Sequence, residues 1–431
     1  MMKAVKGILL LGIVAIFFSG CDTIFGSKQN DTTDEIFEVG RIDPTLEQTD
    51  GYVALTPFWE GFDNPTDVHV GFDEFVYVTD AEGVHLLDRA DLSPRKTIEF
   101  DGAVSVTQDR LLNVYVVARY DTVIQDLDPN VTWNLPAVYK LRNLNGTDGP
   151  NPVFLDTLIH PFDDASRASE TARRARLVKD DVESDEHVEF TGVTVLEDNS
   201  IYVTRRGPLN STTEIAAPDN IVLEFAPIIE NGQSTAKMRN VRQIRTLSPV
   251  TPSLLSSVGP SDIASFVSPP QRDVFPDNRS FLITQADQSA DITFRVLQVN
   301  AVETPDGLVY RSQPDFLERD TSRSSGFLYE ENKFIKPVGL AVAGDQTGYI
   351  FVVDQEQNKL YQFQPNGYEG VTPPPGAVDR SKNLIVSFGE QGNGPRQFNN
   401  PSGVAYFDEI VYVADTGNNR IARYRLTTDF E

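Results

Sequence analysis

The feature that most limits how this chain can fold is a repeated unit. Its clearest copy is Asn400-Pro401-Ser402-Gly403-Val404-Ala405-Tyr406, then Ile410-Val411-Tyr412-Val413-Ala414-Asp415, then Asn418-Asn419-Arg420-Ile421-Ala422-Arg423-Tyr424. A second copy is Lys336-Pro337-Val338-Gly339-Leu340-Ala341-Val342, Ile350-Phe351-Val352-Val353-Asp354 and Asn358-Lys359-Leu360-Tyr361-Gln362-Phe363. A third is Asn64-Pro65-Thr66-Asp67-Val68-His69-Val70 with Val76-Tyr77-Val78-Thr79-Asp80 and Val84-His85-Leu86-Leu87. Each copy holds three short β-branched or aromatic runs punctuated by Gly, Pro, Asn and Asp, the pattern of strands and tight turns. Helical periodicity is almost absent beyond the first 50 residues, so the domain reads as all-β.

These copies resemble NHL repeats, the blades of an NHL-type β-propeller. Three more copies are degenerate: Val104-Ser105-Val106 with Val114-Tyr115-Val116-Val117, Thr191-Gly192-Val193 with Ile201-Tyr202-Val203-Thr204, and Asp262-Ile263-Ala264 with Phe281-Leu282-Ile283-Thr284. Six copies imply six blades, and the resemblance covers nearly everything after residue 50. A fourth strand commonly follows the three, as in Thr97-Ile98-Glu99-Phe100 or Leu384-Ile385-Val386-Ser387-Phe388. A four-stranded sheet buries neither face alone, so such sheets stack radially and close into a ring. The last copy runs out of chain before a fourth strand. The unassigned run Tyr52–Phe58 is therefore expected to complete that blade, with Pro57 suited to a sheet edge.

Blades averaging about 63 residues exceed the ~40–45 of a lean blade, so the excess lies in loops. The segments 119–136, 160–189 and 206–218 follow second strands or join blades, which groups them on one face as a candidate binding surface. Residues 165–177 read as a short basic helix. Two other long loops, 268–278 and 365–382 with its Pro373-Pro374-Pro375, are expected on the opposite face or an edge.

Address is legible at the start. Lys3 and Lys6 precede an apolar run, Gly7 to Phe18, that is too short to span a bilayer comfortably. It ends in Phe18-Ser19-Gly20-Cys21, which resembles a bacterial lipobox, although Phe18 stands where Leu is usual. The resemblance implies a signal peptide over 1–20, acylation of Cys21, a polar tether over 21–50 and the propeller over 51–431. The expected location is the cell envelope, lipid-anchored, on the periplasmic or the surface face. Cys21 is the only cysteine, so no intramolecular disulfide or thiolate zinc site exists. A net charge of −26 repels phosphate backbones and argues against nucleic acid as partner.

Chemistry is harder to read. The second strands end in Asp80, Arg119 or its neighbour, Arg205, Gln285, Asp354 and Asp415. Asp at this point suits turn amides, whereas Arg forks suit carboxylate or phosphate groups. Arg119, Arg205 and Arg206 are therefore candidate anion-recognising residues, with pairing to the many carboxylates as the alternative; Gln285 joins them by position. His69 falls on an innermost strand and can face the channel, where a lone histidine more often packs or hydrogen-bonds than catalyses. No two histidines share a repeat position, and no cofactor motif appears. Abundant carboxylates leave a structural or channel calcium open. The expected activity is a binding or scaffold module for a protein, peptide or glycan. A channel-site lyase or lactonase, with or without a metal, is the rival.

Overall fold

The computed structural model describes residues 51–426 except 90–94, 125–128, 145, 147–151, 162–177, 211–217, 245–257, 268–277, 289–291, 314–315, 317–320, 374 and 376–379. The expected signal peptide over 1–20, Cys21, the expected tether over 21–50, the basic segment 165–177 and most of the two loops at 206–218 and 268–278 thus lie outside the described residues.

Six antiparallel sheets form, one per repeat. Blade 1 is Asp67–Val70, Val76–Thr79, Gly83–Leu87 and Lys96–Glu99; blade 2 is Ser105–Gln108, Val114–Val123, Thr132–Arg142 and Val153–Ile159. Blade 3 is Glu189–Val195, Ile201–Arg206, Ile221–Glu230 and Gln233–Ile244; blade 4 is Pro260–Ser265, Phe281–Gln285, Val296–Thr304 and Gly307–Ser312. Blade 5 holds Pro337–Val342, Ile350–Asp354 and Lys359–Phe363, and blade 6 holds Val404–Phe407, Ile410–Asp415 and Arg420–Leu426. In blade 5 the fourth position belongs to the 384–388 run. It pairs through a single bridge, with Leu360 and Phe388 exchanging backbone hydrogen bonds of 2.8 and 3.0 Å.

The first and last described strands meet as the sequence implies. Tyr52–Ala54 pairs antiparallel with the last strand, Tyr52 opposite Leu426 and Ala54 opposite Tyr424. Trp59–Glu60 then pairs with the same strand, opposite Ile421 and Arg420. Of the expected run over 52–58 only residues 52–54 form a strand, and the second short piece, 59–60, lies just beyond it. Pro57, which lacks an N–H, falls in the gap between them.

The core lies between blades. Branched and aromatic side chains of neighbouring sheets interleave into apolar clusters between blades, one of which runs continuously from blade 3 through blade 4 to blade 5. Val68, Val76 and Val78 of blade 1 pack with Ala405, Tyr412 and Ala414 of blade 6, and Trp59 joins them. That cluster closes the ring without any covalent staple. The repeat's Asp performs the role its position suggests: Asp354 accepts from the backbone N–H groups of Ile335, Lys336 and Gln357, and Asp415 from that of Asn399.

The first strands line the axis. Their channel-facing positions begin with Asp67, Ser105, Gly192, Asp262, Gly339 and Gly403, one per blade. Backbone crowds at this level: a Cβ on Gly403 would lie 2.6 Å from the Asp67 Cα, and one on Gly339 2.4 Å from the Ser402 carbonyl oxygen. Two residues further along these strands come His69, Thr107, Thr194, Ala264, Ala341 and Ala405, small residues apart from the single imidazole.

Candidate functional site

The positions that the sequence marks at the second-strand ends are engaged with their own loops. Arg205 is completely buried; its Nε donates to the Asp219 carbonyl at 2.9 Å and an Nη to that of Pro218 at 3.2 Å. Gln285 is equally buried, accepting from the Val258 N–H at 2.7 Å and donating to the Phe294 carbonyl at 3.2 Å. In blade 2 the repeat position is Ala118, and Arg119 follows it. Arg119 donates to the carbonyls of Asn134 and Glu186 at 2.6 and 2.8 Å, reaching across to the connection with blade 3. The two arginines invert the polarity of the usual Asp, presenting donors to loop carbonyls where Asp accepts from loop amides, and Gln285 does both. Arg206 is exposed and pairs with Glu189. The four are held in separate hydrogen-bond sets.

His69 belongs to a different place, an axial cavity of about 450 Å³ to which all six blades contribute. Its deep end holds Asp67 and Asp262, on blades 1 and 4, opposite members of the ring. Its mouth is built from the loops that join first to second strands, with Phe72, Glu74, Asp345, Phe407 and Asp408, and from Arg89. None of the described residues of the second-to-third-strand loops lines the cavity.

Asp67 and Asp262 are set in matching ways. Asp67 accepts from the N–H of Val68 at 2.8 Å, and on the next blade from the Ser105 hydroxyl at 2.9 Å and the Val106 N–H at 3.0 Å. Asp262 accepts from the N–H of Ile263 and, on the next blade, of Leu340, both at 2.8 Å. Each carboxylate therefore latches two innermost strands while keeping part of its surface open to the cavity. No described cation pairs with either. Burial in the ring pushes Asp67 up from 3.8 to about 6, although its three hydrogen bonds oppose the shift. Burial also raises Asp262, and the charge of Asp67 raises it further.

Burial drives the neighbouring imidazole the other way, from 6.5 down to about 4, so His69 is neutral near pH 7. Its Nε2 is buried without a hydrogen-bond partner. At the mouth Arg89 lies between Asp408 at 2.8 Å and Glu74 at 3.4 Å, and stacks over Phe407 at 4.7 Å. The Tyr406 hydroxyl donates to Asp345 at 2.9 Å. Among the described residues no three His, Cys, Asp or Glu side chains are grouped to hold a metal ion.

The two shifted groups make opposing contributions to stability, and this is measurable. Asp67 holds its proton more tightly folded than unfolded, so its contribution declines as pH rises from about 4 to about 6. His69 binds its proton more weakly folded, so stability is lost as pH falls from about 6.5 to about 4. Asp67→Asn should therefore lose stability relative to the parent on acidification through this window, and His69→Gln should gain it. Urea unfolding at pH 4.5 and 7 is expected to show differences on the order of 1–3 kcal/mol of opposite sign. Parallel pH profiles for all three proteins would refute the assignment.

The family model for the NHL repeat matches residues 398–424, the last blade. The protein is thus a six-bladed β-propeller carrying an NHL repeat. No curated protein sequence matches the chain. Among solved structures, it is similar to a protein of unknown function from Bacteroides thetaiotaomicron at 14% identity and TM-score 0.49, covering 88% of this chain and 76% of that one. An auxiliary nutrient binding protein from the same organism is 10% identical, with TM-score 0.46 and coverage of 85% and 70%. A gluconolactonase from Xanthomonas campestris is 10% identical, with TM-score 0.41 and coverage of 88% and 89%.

Asp67 and Asp262 are not among the candidate residues that the sequence singles out. The signal was present in one column of the repeat. Where blades 3, 5 and 6 carry Gly and blade 2 carries Ser, blades 1 and 4 carry Asp.

Proposed function

We propose that this protein is a lipid-anchored cell-envelope binding module that takes a small polar ligand, or the end of a glycan or peptide, into its axial cavity. One observation carries the reading: a cavity of about 450 Å³, within the range of ~300–1,000 Å³ typical of small-ligand sites, with polar groups from opposite blades converging on it. Two carboxylates held above their ordinary range mark it as a place where ionisation is perturbed by burial. The test is to block the cavity. Ala341 is a small residue in the lining of the cavity that His69 also lines, and Ala341→Phe adds a ring's volume there. Compounds from a panel of sugars, short peptides and amines that raise the melting temperature of the parent should lose that effect in Ala341→Phe. A panel that shifts neither protein, or both alike, would overturn the reading.

The anchoring half of the proposal rests on the run before Cys21. Cys21→Ser is expected to move the protein from the membrane fraction to the soluble fraction of its native host and to abolish labelling by an alkyne fatty acid. Retention in membranes without label would contradict acylation.

A second reading, a channel-site lyase or lactonase, is favoured by Asp67 itself. A carboxyl that titrates near 6 inside a cavity can serve as a general acid or base. Turnover of a lactone panel that disappears in Asp67→Asn, with the fold retained, would select this reading over simple binding.

A further inference from the structure

We infer that the axial cavity is a site for a small organic cation, a ligand bearing one or more ammonium groups. The inference rests on the binding reading above and adds the charge of the ligand. Five carboxylates of the described residues line the cavity, those of Asp67, Glu74, Asp262, Asp345 and Asp408. Among the described residues of the lining Arg89 is the one cationic side chain, and it is already placed between Glu74 and Asp408. An anion entering the mouth would meet net negative walls in a low-dielectric setting, where like charges repel most strongly.

The deep end makes the same demand in a sharper way. The Asp67 and Asp262 oxygens receive hydrogen bonds from backbone and a hydroxyl, which orient them but bring no countercharge. A buried carboxylate without an opposite charge is costly, so a cation placed between blades 1 and 4 would relieve both at once. His69 supplies an independent pointer. It lines the same cavity, its Nε2 is buried and unpartnered, and as a neutral imidazole it adds a lone pair without adding repulsion. An ammonium group carries up to three N–H donors and can address a carboxylate and an imidazole together.

The mouth fits the body of such a ligand. Phe72, Tyr406 and Phe407 stand there among the carboxylates, and ring faces attract cations. Arg89 over Phe407 already shows the mode in this structure.

The test uses the full chain in detergent micelles and three probes of one length: cadaverine, pentane-1,5-diol and glutarate, with spermidine and maltotriose as larger counterparts. Isothermal titration is expected to show amine binding at least tenfold tighter than the matching neutral compounds, and no uptake of glutarate. Asp262→Asn should weaken the amines at least tenfold while leaving any diol or maltotriose binding unchanged. If that variant melts early, Asp345→Asn at the mouth provides the second reading, with a smaller loss in the same order. Neutral compounds binding as well as the amines would overturn the cation inference and leave the cavity as a binding site. No heat from any probe would overturn the binding reading with it.

Discussion

Replacing Trp59 by alanine is expected to lower the free energy of unfolding by about 3–5 kcal/mol, the range for deleting a large buried aromatic. Trp59 is completely buried, 5.7 Å from the Tyr412 ring and under the Arg423 guanidinium at 4.6 Å. Its strand contributes only two residues, so its backbone pairing is brief and its side chain carries most of the attachment. The loss falls at the one interface that joins the first described strands to the last. With no disulfide to hold the ring, this packing substitutes for one. Val53→Ala, on the adjacent piece but exposed, should change stability by less than about 0.5 kcal/mol. Denaturant unfolding of both variants checks the pair. Equal effects would mean that closure does not depend on this contact.

Arg205→Leu is expected to cost about 2–5 kcal/mol of stability and to leave ligand affinity in the cavity unchanged. The guanidinium is buried and supplies donors to two loop carbonyls, so leucine would strand both acceptors, at ~1–3 kcal/mol each. Arg206→Ala, one residue on, removes an exposed ion pair and should be near neutral. Equilibrium unfolding distinguishes these effects, and titration with citrate distinguishes the competing role. A stable Arg205→Leu variant that had lost citrate binding would restore the anion-fork reading of this position.

The fold was largely legible because a repeat makes every copy testify to the same strands. Blades 5 and 6 carry the full set of Pro, Gly, Asp and Asn, and their strands at 350–354 and 410–415 fall where those residues put them. Tyr52–Ala54 could be placed because the last blade lacked an outer strand. What the pattern hides is the direction of polarity. An Arg replacing a repeat Asp reads as a free cation, since sequence does not reveal that the following loop offers carbonyls in place of amides. The cavity was hidden for another reason. Asp67 and Asp262 are nearly 200 positions apart, and only the angular arrangement of blades 1 and 4 turns them into a facing pair. His69 could be assigned to the channel by alternation along its strand, with Val68 and Val70 turned into the core. Its missing partner is a property of the small residues around the ring, which no single repeat displays.

The most direct measurement is a crystal structure of the protein with the compound that most raises its melting temperature. The account predicts ligand density inside the axial cavity, within hydrogen-bonding distance of Asp67 or Asp262 and absent from Ala341→Phe crystals grown in the same way. Density on the insertion-bearing face instead, with the axial cavity holding only water, would contradict it.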